Sequence, residues 1–70
     1  LPMLLKLEIE QEDDGRWIAE VVELPGVVAY GATREEATAA AQALALRVIA
    51  ERIEYGETAP GMLNLQFLAA

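Results

Sequence analysis

The chain has neither cysteine nor histidine among its seventy residues. Without cysteine there can be no disulfide, no thiolate nucleophile and no zinc site of the cysteine/histidine kind. Without histidine the most common general base near neutral pH is missing. Positive charge is also scarce: twelve acidic side chains against five basic ones give a formal net charge of −7. That sign repels phosphate, so direct nucleic-acid binding by this chain alone is not expected. A basic protein partner fits better, because complementary charge speeds encounter. No apolar run approaches the roughly 20 residues of a membrane span, and no basic-then-apolar leader opens the chain. No membrane association is expected, and the expected location is the cytoplasm.

Apolar residues, by contrast, are plentiful. They make up 54% of the chain, more than a monomer of this size needs, because a small domain buries only a modest fraction of its surface. The excess predicts a homo-oligomer, dimer or tetramer, or a protein partner.

Residues 3–11 alternate strictly, with Leu5, Leu7 and Ile9 on one face and Lys6, Glu8 and Glu10 on the other. That period of two predicts a half-buried strand. "EDDGR" reads as a hairpin turn, with Gly15 at a position of positive φ. The register follows from parity. If Trp17, Ala19 and Val21 are to join the Leu5/Leu7/Ile9 face, facing residue numbers must sum to an even value. A loop of Asp14-Gly15 alone gives an odd sum and turns Glu20 inward. The loop Asp13-Asp14-Gly15 pairs Glu12 with Arg16 and keeps the acids out. Pro25 and Gly26 break the second strand. Residues 27–30 form a short third strand, which Gly31 ends.

"TREE" places Glu36 three residues after Thr33, the spacing of a capping box, with the glutamate returning a bond to the cap. A helix is predicted from Arg34 to Tyr55, terminated by Gly56. "ETAPG" is a loop. Residues 62–68 alternate again, with Leu63, Leu65 and Phe67 on one side, and form a fourth strand. The predicted fold is α+β, in the order β-β-β-α-β: an antiparallel three-strand meander, one helix on one sheet face, and a last strand parallel to the first. One domain spans 1–70.

On a wheel of about 100° per residue, Ala37, Ala41, Leu44, Ala45 and Val48 form the face toward the sheet. Leu46, Ile49 and Ile53 form a second apolar stripe. Ile18 and Val22 point outward from the sheet. These five bulky residues are the candidate oligomer interface. Glu8 and Glu20 are expected to face one another on the outer sheet face near Glu10. Paired carboxylates could share a proton or a metal, but on an open face beside Lys6 they read as solvated, so no catalytic, cofactor or metal residue is expected. Asp13 and Asp14 read as turn formers. Trp17 belongs to the core face or an interface, and Tyr30 could stack only against acidic surroundings. Arg47 and Arg52 suit ion pairs with Glu51 or Glu54.

The run "RWIAEVVELPGVVAYGATREEATAAAQALAL" resembles the HicB-like antitoxin family. The resemblance rests on Trp17 in the strand, Leu24-Pro25-Gly26 in the turn, Gly31 at the strand end, and Thr33-Arg34-Glu35-Glu36-Ala37 at the helix start, and it extends over about residues 4–68. Two features depart from that family. Its usual proline before the turn is replaced near Val22-Glu23, and no C-terminal DNA-binding module is expected, so autorepression by this chain alone is not expected either. The resemblance implies a partly degraded ribonuclease-H-like fold used for binding. It also implies a partner, a small basic HicA-like toxin that cleaves messenger RNA. On that reading the protein is not an enzyme; Glu8, Glu10, Glu20 and Trp17 contact the toxin, and Gly15, Pro25, Gly26, Gly31, Thr33, Glu36 and Gly56 hold the scaffold. The alternatives are an orphan oligomeric binding or scaffold protein without a toxin, and a small metal-dependent nuclease.

Overall fold

A computed structural model of the protein describes residues 3–57 and 64–69. The elements run β1 (Met3–Gln11), β2 (Trp17–Val21), β3 (Val28–Gly31), α1 (Arg34–Glu54) and β4 (Leu65–Ala69). They build one mixed sheet in the order β3-β2-β1-β4, with β4 parallel to β1 and the other pairs antiparallel. This is the predicted α+β arrangement.

Parity sets the first hairpin as expected. Leu7 faces Val21, Ile9 faces Ala19 and Gln11 faces Trp17. The Glu12 N–H donates to the Arg16 carbonyl at 2.7 Å, closing the loop Asp13-Asp14-Gly15. Gly15 has φ 93°, the left-handed value that this turn and its bulge require. Leu5, Leu7, Ala19 and Val21 are therefore all buried.

The second turn does more than reverse the chain. The Val27 N–H donates to the Leu24 carbonyl at 3.0 Å, and the Val21 N–H donates to the Val27 carbonyl at 3.0 Å. Leu24 and Val27 consequently fold under the sheet and are buried at the end of the core. Val27 belongs to this turn, so β3 begins one residue later than expected, and Gly31 is its last residue. Glu23 completes the corner. Its Oε1 accepts the Lys6 backbone N–H at 2.7 Å, a donor left without a strand partner once β2 has ended.

Helix α1 starts at the predicted cap. Thr33 is extended (φ −126°, ψ 163°), and its Oγ1 accepts the Glu36 N–H at 3.1 Å. Glu36 Oε2 returns a bond at 3.0 Å to the Ala32 N–H, one residue before the expected Thr33. The helix ends at Glu54, with Tyr55 as cap. The Gly56 N–H then bonds the Ile53 carbonyl at 3.0 Å, and the Glu57 N–H bonds the Arg52 carbonyl at 2.7 Å. This pair of bonds is the Schellman closure, which satisfies carbonyls the helix leaves open.

The helix packs chiefly on β2 and β3. Its buried ridge is Ala37, Ala41, Ala45 and Ile49, at four-residue spacing. Alanine at three of these positions brings the backbones close together; fully burying a Leu or Ile elsewhere in such a core contributes about 1.5–3 kcal/mol. Ile49 is thus corrected from the exposed stripe to the core: it is 3% exposed, whereas Leu46 is 48% and Ile53 44% exposed. A four-residue ridge drifts slowly around the helix, and packing follows the ridge rather than a fixed angle on a wheel.

Strand β1 is shared. Residues Leu7 to Gln11 pair with β2, and residues Met3 to Leu7 pair with β4, from Met3 beside Leu65 to Leu7 beside Ala69. The expected start of the fourth strand at 62–63 and most of the "ETAPG" loop lie outside the described residues. Among the described residues no helix is long and apolar enough to cross a membrane.

Candidate protein-binding face

One face of the sheet carries the helix; the other has nothing packed on it among the described residues. The same parity that buries Leu5 and Val21 turns every even-numbered strand residue toward this second face. Its cross-strand rows can be read directly from the register. Glu10, Ile18 and Tyr30 form one row, and Glu8, Glu20 and Val28 the next. Lys6 then lies beside Leu68, and Leu4 beside Gln66. Val22 follows Glu20 on the same side, and its N–H donates to the Lys6 carbonyl at 3.0 Å.

The face is therefore an acidic centre flanked by apolar side chains. Leu4, Val22, Tyr30 and Leu68 are each between 41% and 49% exposed, and Ile18 and Val28 are half-buried. The glutamates at its centre are all exposed. Two cations border the acids, Lys6 on the face itself between Val22 and Leu68, and Arg16 at its edge. Lys6 Nζ lies 3.9 Å from Glu23 Oε2. The Arg16 guanidinium is over the Tyr30 ring, 4.6 Å from its centroid, and its Nε donates to Asp14 Oδ2 at 2.7 Å. Asp14 also accepts the Arg16 backbone N–H at 3.0 Å. That bond first, and then the guanidinium, hold the Asp14 carboxyl below the ordinary carboxylate range.

The structure brings Glu8, Glu10, Glu20, Ile18 and Val22 together on this one face. It separates Trp17 from them. Trp17 lies on the helix side, half-buried against the core, with the Arg34 guanidinium 6.0 Å from its ring centroid. Leu46 and Ile53 lie on the helix, away from the sheet face. Four apolar members, Leu4, Val28, Tyr30 and Leu68, were not singled out as outward-facing in the sequence. For Leu4 the alternation of β1 is the available signal; the other three depend on the β2–β3 and β1–β4 registers. Arg47 and Arg52 make no ion pair with Glu51 or Glu54; exposed pairs of this kind gain little and restrict long side chains. No group of three acidic side chains capable of holding a metal occurs among the described residues, and no polar or charged side chain among them is buried.

Comparison of the chain with protein families, with curated proteins and with solved structures finds no match.

Proposed function

We propose that this protein is a non-catalytic binding module whose open sheet face holds a small basic protein, in the manner that its resemblance to HicB-like antitoxins implies. The observation that carries the reading is the Glu8–Glu20 pair, set in the middle of an uncovered apolar face. Apolar flanks supply area to bury, and the acidic centre selects a cationic counterpart. A second copy of the chain suits this face poorly, because it would bring glutamate against glutamate. A basic messenger-RNA-cleaving toxin of the HicA kind has the right charge, and the sheet would cover its RNA-binding surface. Action against such a toxin would take place in the cytoplasm.

Co-expression with a small basic toxin encoded beside this protein tests the reading. The expected result is a stable co-purifying complex and restored growth. Neither complex nor rescue would remove the antitoxin assignment. An oligomeric scaffold without a toxin is the second reading, favoured by the uncharged edge of β4.

A further inference from the structure

The two ends of the sheet are unlike. Strand β3 is held under the helix, whereas β4 lies at the opposite edge, beyond the main helix contacts. Its sequence, "LQFLA", has no charge, no proline and no glycine. Edge strands are usually protected by lysine, proline, a bulge or a covering element. Among the described residues β4 has none of these.

The direction of its free hydrogen-bonding groups is fixed by its pairing. The Met3 N–H donates to the Asn64 carbonyl at 2.7 Å, and Met3 lies beside Leu65. In a parallel ladder this turns the backbone groups of Gln66 and Leu68 toward β1. Those of Leu65, Phe67 and Ala69 point away from the sheet.

We propose that β4 is where two copies of this chain join, antiparallel about a two-fold axis, into one continuous sheet. Charge argues for a second copy as the occupant. Each copy carries −7, so self-association is favoured only where acids are absent. The open sheet face has Glu8 and Glu20 at its centre, and the helix exposes Glu35, Glu51 and Glu54. The β4 edge has no acid. Hydrogen bonding then selects the register. Antiparallel partners that exchange both bonds must both be outward-pointing residues, so Phe67 faces the second copy's Phe67 and Leu65 faces its Ala69. This centred register uses every free group on both strands and brings two half-buried phenylalanine rings together. It also joins the two Leu4/Leu68 patches across the axis. A strand this short buries less than a standard interface of about 1,600 Å², so the dimer is concentration-dependent.

The toxin-binding proposal concerns a different surface, and failure here leaves it standing. Sedimentation of the purified chain over a concentration series should show the mean mass rising toward that of a dimer. Ala69→Pro removes an outward N–H from an exposed position while leaving the β1 pairing intact, and it should weaken association about tenfold, as loss of two interchain bonds implies. The natural chain has no thiol, so single-cysteine variants report the register. Under mild oxidation Phe67→Cys should form a disulfide-linked dimer readily, and Gln66→Cys, offset from its own copy, much less. A monomer at every concentration would overturn the proposal, as would association unaffected by Ala69→Pro together with no preference for the Phe67→Cys link.

Discussion

Glu8 and Glu20 stand directly opposite one another on adjacent antiparallel strands. Like charges at such a position oppose pairing of the strands. The fold accepts this contact at the centre of its open face, where the cationic partner proposed above would relieve it. Glu20→Lys turns the repulsion into an attraction. It should stabilise the free protein by about 0.2–1 kcal/mol, read as a higher denaturant midpoint. The same change should weaken binding of a basic partner at least about tenfold. Stability and binding moving in opposite directions would separate a role in recognition from a role in folding; unchanged affinity would remove Glu20 from the contact.

Gly31 is required for space. A Cβ there would lie 2.8 Å from Glu36 Cβ and 2.9 Å from the Glu36 carbonyl carbon, with the Ala37 backbone nitrogen nearer still. Two of these three atoms are helix backbone and cannot swing aside. Gly31→Ala should therefore lift the first turn of α1 off β3 and cost about 1–3 kcal/mol, as overpacking does. Urea denaturation measures the loss. A neutral result would mean that the helix approaches the strand less closely.

The two isoleucines near the end of α1 should respond differently. Ile49 is part of the core and Ile53 is not. Ile49→Val should cost about 0.5–1.5 kcal/mol, and Ile53→Val should stay within about 0.5 kcal/mol. Equal effects would restore the single exposed stripe expected from the helical wheel.

Local chemistry and period-two alternation made most of the fold legible. The choice of loop between Glu12 and Arg16 followed from keeping Glu20 out of the core, and the cap at Thr33 followed from spacing alone. Two features depended on information the pattern does not carry. Leu24 reads as part of a turn, and only the hydrogen bonds of Val27 reveal that the turn tucks it into the core. Ile49 reads as surface because the direction in which a helix crosses a sheet is set by ridge packing, which a wheel does not include. The open face was half legible. Ile18 and Val22 follow from the first hairpin, but Val28 and Tyr30 join them only once the β2–β3 register is known, and Leu68 only once β4 is placed beside β1.

The helix start offers a clean test of the cap. Thr33 Oγ1 accepts a backbone donor that the helix itself cannot satisfy. Thr33→Ala should lower stability by about 1 kcal/mol, and Thr33→Ser should retain most of it. If serine fails as badly as alanine, the threonine methyl rather than its oxygen is what the site needs.

Asp14 gives the fold a dependence on acid whose sign can be worked out. Its carboxylate accepts the Arg16 N–H and pairs with the Arg16 guanidinium, so its folded pKa lies below the ordinary value of 3.8. A group depressed on folding binds fewer protons in the folded state than in the unfolded state. Its contribution is fully present above the unfolded value and disappears as pH falls through the folded one. The side chain is about half exposed to solvent, so the effect is modest and salt reduces it. The comparison to make is between the natural chain and Asp14→Asn across an acid titration. The natural chain should be the more stable at neutral pH, and the gap should close only as pH drops below about 3.8. Added salt should narrow the gap at neutral pH, because it screens the Arg16 pair while leaving the backbone hydrogen bond in place. A gap that persisted unchanged into strong acid would show that the turn depends on the shape of residue 14 and not on its charge.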